Sequence, residues 1–237
     1  ILEANPRASR TMPFVSKVTG NQIIKAGTLL MLGHSLDSIK KTTNYLNSST
    51  NKVAIKKAIF PWSRFPAEDT MLGPEMKATG EVLGIGRSFG VALNKAYAAA
   101  GVEINENEKG IFVSLSDQEK PNFIKIVKTY SDLGFKIYST YGTGEYLKNN
   151  EINSTIVGRA DETFPTSLTI LQDKLISLVI NTPTFANEYT DGWKIRRLSH
   201  ETGVAVVSSV REAEAFLKAF LETTKSFEDM EAIQNVS

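Results

Sequence analysis

From about residue 108 onward the chain repeats one unit: a short apolar run, a turn, then an amphipathic helical stretch. Runs that alternate this way pair as parallel strands, because each crossover helix must lie back on the sheet. Residues 110–114 form the first apolar run. Ser116 and Asp117 are placed to cap the following helix, and Pro121 suits its first turn. Phe123, Ile126, Val127, Tyr130 and Leu133 then keep helical spacing, and Gly134 ends it. Residues 135–139, 154–157, 176–180 and 204–207 read as further strands. Between them, 140–143 reads as a turn before a short helix at 145–147, with longer helices near 167–174 and over 191–201. Gly203 closes the last of these. Ser209 and Glu212 form a capping box, and the helix behind it sets Val210, Ala213, Leu217, Phe220 and Leu221 on one face. From about Glu222 the period fades into a tail.

These observations predict an α/β fold with a doubly wound, five-stranded parallel sheet over 108–237. Residues 1–107 are irregular and punctuated by Pro6, Pro13, Pro61, Pro66 and Pro74, so they read as a separate portion. In doubly wound sheets ligands sit at the carboxyl ends of the strands, where the strand order reverses. Those ends carry Ser114, then Thr140, Tyr141, Gly142 and Thr143, then Arg159, and finally Asn181 and Thr182. Hydroxyls, a glycine and nearby cations beside free helix N–H groups suit a phosphate or carboxylate. The plainer alternative is that the same residues only cap helices and close turns.

Composition narrows the function. The 237 residues carry 27 Lys and Arg against 26 Asp and Glu, a net charge of +1, which argues against a dedicated nucleic-acid binder. No cysteine is present, which excludes disulfides, thiolate nucleophiles and cysteine-held metals. His34 and His200 are the only histidines, too few for a histidine-rich metal site. No apolar run approaches the ~20 residues that a membrane span needs. The chain opens on Ile1 with neither a methionine nor a signal-peptide pattern, and so reads as a piece of a longer, cytoplasmic metabolic protein.

The first portion carries shorter signals. Residues 1–7 begin like the end of a strand, on which Glu3 and Asn5 share a face. A carboxylate beside an amide oxygen can hold a hard cation such as magnesium. Arg7 and Arg10 follow, able to grip phosphate in forked geometry. Residues 84–87 (Gly-Ile-Gly-Arg) tempt a dinucleotide reading, but Phe89 replaces the third glycine, so they are expected to form a turn. Ser88 is placed to cap a helix containing Val91, Leu93, Ala96 and Tyr97. A helix over 23–31 ends before Gly33 and His34, giving His34 a capping role, and His200 reads as an ordinary late-helix residue.

Two long runs carry a resemblance. Residues 1–20, which include Glu3-Ala4-Asn5-Pro6-Arg7, resemble the end of the second ATP-grasp unit of carbamoyl phosphate synthetase large subunits. So does the stretch from Leu72-Gly73-Pro74-Glu75-Met76-Lys77 to Gly86-Arg87-Ser88-Phe89. The remainder, from about residue 108, resembles that family's regulatory domain, of the methylglyoxal-synthase-like fold. The resemblance implies synthesis of carbamoyl phosphate from bicarbonate, ammonia and two ATP, for arginine and pyrimidine biosynthesis, with a small glutaminase subunit as partner. It implies that Glu3 and Asn5 bind magnesium or manganese, that Glu3 also faces ATP, and that Arg10 and Arg7 neutralise charge during phosphoryl transfer.

It further implies a nucleotide effector, UMP or IMP, held by Ser114, Lys120, Thr140, Gly142, Thr143, Arg159 and Asn181. Lys120 is the cation expected nearest the phosphate. Arg159 stands where the family commonly has lysine, and Pro183 where it often has threonine. The family's ornithine pocket uses an acid and a tyrosine, which here align with Lys57 and Val206, so ornithine is not expected to act. A higher oligomer of the full enzyme is also an expectation, with the oligomeric state left open. A stand-alone regulatory module and a methylglyoxal synthase are the competing readings. The latter needs catalytic aspartates and a histidine near the phosphate, where this chain has Tyr141.

Overall fold

The computed structural model describes residues 4, 6, 7, 9–44, 51–65, 70, 78–102, 110–160, 162, 165–182 and 190–223. Three helices come first: α1 (Thr11–Thr19), α2 (Ile23–Met31) and α3 (Leu36–Thr42). Gly20, in the left-handed region with φ 70°, turns the chain after α1. Ser35 caps α3 by accepting from Ser38 N. At the end of α2 the main chain does the capping: the His34 N–H donates to Leu29 O at 3.0 Å.

An antiparallel pair follows, β1 (Val53–Ile59) and β2 (Gly80–Gly86), in register from Val53 opposite Gly86 to Ile59 opposite Gly80. Sequence reading expected a turn over 84–87, yet Gly84, Ile85 and Gly86 are strand. Helix α4 (Phe89–Ala99) lies directly on that strand, and its approach explains the glycines. A Cβ on Gly84 would stand 2.0 Å from Ala92 O, and one on Gly86 2.8 Å from Ala92 N. Ser88 caps α4 through Val91 N, as its position suggested.

The alternating half folds as β3 (Gly110–Ser114), α5 (Lys120–Asp132), β4 (Lys136–Ser139), α6 (Tyr141–Asn149), β5 (Thr155–Ile156), α7 (Ser167–Gln172), β6 (Leu178–Asn181), α8 (Asp191–Thr202), β7 (Ala205–Val207) and α9 (Val210–Thr223). The five strands are all parallel, in the order β5-β4-β3-β6-β7. Period-2 alternation assigns each side chain to a layer. Ile111, Val113, Leu178 and Ile180 pack with Phe123 and Val127 of α5, Leu147 of α6, Phe216 of α9 and Leu93 of α4. Phe112, Tyr138 and Val179 pack on the other side with Ile170 and Leu171 of α7 and Ile195 of α8. The sheet is therefore covered on both faces, as the alternation of strands and helices required.

Several local details differ from the sequence reading. Residues 140–143 are not a separate turn: Thr140 is the N-cap residue and α6 starts at Tyr141. The side chains of Ser116 and Asp117 do not cap α5, whose N-cap residue is Glu119. Instead the Glu119 and Lys120 N–H groups both donate to Ser116 O. The capping box of α9 is split: Glu212 N donates to Ser209 Oγ, while the Glu212 carboxylate accepts from Ser208 N. A full reciprocal box does occur, between Thr166 and Thr169 at the start of α7.

Candidate nucleotide site at the strand ends

The chain winds from β3 outward to β4 and β5, then returns to β6 on the other side of β3. The carboxyl ends of β3, β4 and β6 therefore face one crevice. Register places Ser114 opposite Asn181 at its floor. Ser114 O accepts from Thr182 N at 3.1 Å, tying the β3 and β6 ends together. The Thr182 hydroxyl accepts from Ser116 N at 2.8 Å. It holds the loop before α5, a role for Thr182 that the site assignment from sequence left out.

At the end of β4 the buried Thr143 hydroxyl accepts from Leu115 N at 3.0 Å and from the Thr140 hydroxyl at 3.2 Å. These bonds fix the first turn of α6 against the β3 end. Within that turn Gly144 N already donates to Thr140 O. The preceding N–H groups have no intrahelical acceptor and point outward, with the positive end of the helix dipole. A side chain at Gly142 would come within 3.8 Å of Lys120 Nζ, so the ammonium stands beside this turn. The Lys120 side chain is only 11% exposed, and its Nζ donates to Asp117 Oδ1 at 2.6 Å. That contact holds the solvent-exposed Asp117 carboxyl below its ordinary pKa.

Asn181 is buried at the β6 end. Its Oδ1 accepts from Arg196 Nη1 of α8 at 2.6 Å, and its Nδ2 points to Ser114 O at 3.5 Å. Arg159 is exposed just beyond β5, its main-chain N–H donating to Glu162 Oε2. Register and hydrogen bonds thus bring Ser114, Thr140, Thr143 and Asn181 to adjacent strand ends, with Lys120 beside Gly142, while Arg159 follows β5 at the edge of the sheet. Arg196, on the helix expected over 191–201, was not singled out in the sequence.

The metal-site and phosphoryl-transfer assignments are placed less fully. Glu3 and Asn5 lie outside the described residues, as does Pro183. Arg7 and Arg10 are exposed on the segment leading into α1. Among the described residues no group of three or more His, Cys, Asp or Glu stands together to hold a metal. No helix there is long and apolar enough to cross a membrane.

A second concavity, of about 500 Å³, lies between β1 and the α4, α8, β7 and α9 side of the sheet. Lys57 and Val206 both line it, together with Trp62, Tyr97, His200 and Glu212. Lys57 Nζ sits 4.0 Å over the Tyr97 ring. Burial lowers the Lys57 pKa, and nearby Glu212 opposes that shift. The Tyr97 hydroxyl donates to Glu212 Oε1 at 3.0 Å. Burial, reinforced by the Glu212 charge and this bond, raises the Tyr97 pKa. His200, against the Trp62 ring at 5.8 Å, is pushed down to about 4, chiefly by burial and further by Lys57 and Arg197. Sequence reading treated His200 as an ordinary helix residue; the structure turns it inward.

Residues 122–208 match the MGS-like domain by sequence, and the five-stranded parallel sheet is consistent with that fold. Over nearly its whole length the chain is also similar to carbamoyl phosphate synthase large chains. It is 38% identical over 234 residues to that of Nostoc sp., covering 99% of this chain and 21% of the relative. It is 37% identical over 242 residues to the large chain's C-terminal section in Aquifex aeolicus, covering 97% of this chain and 45% of the relative. A third relative, the large chain of Archaeoglobus fulgidus, is 38% identical over 228 residues, covering 95% of this chain and 21% of its own length. The chain carries an MGS-like domain and is homologous to the C-terminal regions of carbamoyl phosphate synthase large chains. It spans between about a fifth and a half of the length of these relatives.

Proposed function

We propose that this chain is the C-terminal part of the large chain of a glutamine-dependent carbamoyl phosphate synthase, and that its strand-end crevice binds a nucleotide effector through the phosphate. The observation that supports this best is the convergence of the Lys120 ammonium, the α6 first turn and Asn181 at the ends of three adjacent strands. A phosphate there meets a cation, outward N–H groups and hydroxyls together, the combination that stabilises a dianion at a helix amino terminus. UMP and IMP are the effectors proposed.

On the same reading the full enzyme joins bicarbonate and ammonia at the expense of two ATP, with a small glutaminase subunit as source of ammonia. Glu3 and Asn5 would hold magnesium or manganese, Glu3 would also face ATP, and Arg10 with Arg7 would neutralise the transferred group. Phosphoryl transfer rests on positioning and charge neutralisation of this kind. With the rest of that catalytic site supplied from outside these 237 residues, the chain alone is expected not to turn over. Ornithine is expected to bind weakly or not at all, because Lys57 puts a cation in the cavity where an ammonium would have to enter.

Calorimetric titration of UMP and IMP into the chain tests the effector reading. At least one should bind, and Lys120→Ala should weaken it about tenfold or more, the loss expected for a charge-assisted contact. Failure of both nucleotides to bind, or binding indifferent to Lys120→Ala, would remove the nucleotide-sensor role.

A further inference from the structure

Arg196 lies within α8 and is 5% exposed. Its Nη1 donates to Asn181 Oδ1 at 2.6 Å. We propose that Arg196 is a positioning residue that sets the polarity of the strand-end crevice: it holds the Asn181 carboxamide by its oxygen, turns the amide N–H2 toward the ligand, and so makes the site select anions. The selectivity rests on the nucleotide reading above; the orientation of Asn181 does not.

A carboxamide is ambivalent, with acceptor lone pairs at one end and two donors at the other, and its neighbours decide which way it faces. A guanidinium can only donate and stays protonated. The Asn181 oxygen must therefore face Arg196, and the nitrogen must face away. On that side Nδ2 reaches Ser114 O only at 3.5 Å, at the limit of a hydrogen bond. The stronger claim on Ser114 O is the Thr182 N–H at 3.1 Å. The amide donors are thus left available to an acceptor entering the crevice.

The space for this pair is built into α8. A Cβ on Gly192, one turn before Arg196, would lie 3.0 Å from Arg196 Nη1, 3.5 Å from Asn181 Oδ1 and 3.7 Å from Asn181 Nδ2. Glycine weakens a helix relative to alanine, so its presence here fits a need for room. On its other side Arg196 lines the cavity beneath β1.

The test titrates inorganic phosphate and UMP into the full chain and its variants, and follows the Asn181 side-chain amide by NMR without ligand. Arg196→Met should weaken binding about tenfold, the effect of one charge-assisted hydrogen bond, and should add little in an Asn181→Ala background. Gly192→Ala should weaken binding by a smaller factor, and Arg196→Lys, still only a donor, should keep most of the affinity. The Asn181 amide signal should move in Arg196→Met. A loss of equal size in the Asn181→Ala background overturns the proposal. So does unchanged affinity in Arg196→Met where Lys120→Ala abolishes binding. If the wild-type chain binds neither phosphate nor UMP, the nucleotide reading fails and anion selection with it. The amide signal then decides the orientation alone: unmoved, it overturns that too; moved, it upholds it.

Discussion

In the parallel-sheet half, Ile111, Phe112, Val113, Val179 and Ile180 have no exposed surface at all. In α1–α3 the buried side chains are Ala26 and Ile39, whereas Met31 and Leu32 are 89% and 71% exposed. Both regions are rich in apolar residues, so composition does not separate them. The difference is that the central strands β3 and β6 have a helical layer on both sides, while among the described residues α1–α3 pack chiefly on one another, with α2 touching both α1 and α3. Helices draw most of their stability from such packing. The sheet half should therefore hold the cooperative core, and α1–α3 should lie at the low end of local stability.

The largest expected effect is in that core. Phe112→Ala should lower unfolding stability by about 3–5 kcal/mol in urea titrations, as for other buried aromatics. A loss under about 1 kcal/mol would deny the sheet its central role. Next comes the seam between β2 and α4, the helix that also packs on α9 of the sheet half. Gly84→Ala forces a Cβ into Ala92 O and should cost about 1–3 kcal/mol, read as a lower thermal midpoint. A silent substitution there would mean that α4 does not press on β2.

His200 should give the third effect, in pH dependence. Its folded pKa of about 4 lies below the ordinary histidine value of about 6.5, so the unfolded chain binds its proton first. Stability should hold above about pH 6.5 and fall as pH drops from there toward 4, by about 1 kcal/mol after allowance for partial exposure. The check is the difference in stability between wild type and His200→Gln across that window. A difference that does not change with pH would contradict a half-buried, neutral histidine. Smallest of all should be Leu32→Ser, within about 0.5 kcal/mol by urea unfolding. A loss above about 2 kcal/mol would erase the contrast between the regions.

What could be read from the sequence follows the same contrast. The sheet half announced itself because burial on two faces leaves continuous apolar runs, and because Gly134 and Gly203, both left-handed with φ 85° and 75°, mark helix ends. The β1–β2 pair did not. Gly84 and Gly86 look like turn residues until α4 is seen lying on them, so the close approach that requires glycine was invisible along the chain. The crevice residues Ser114, Thr140, Thr143 and Asn181 were legible because topology puts ligands at strand ends. Arg196 and His200 were not. Their roles depend on partners from other elements, Asn181 and Trp62, and helical period alone places an arginine or histidine outside.

The strand-end crevice is proposed to be where this chain meets the phosphate of a nucleotide effector. Hydrogen exchange with and without UMP tests it most directly. Slower exchange is expected at residues 141–144 and around 114–120, with α1–α3 unchanged. No change at the crevice, or protection that falls on α1–α3 instead, would contradict it.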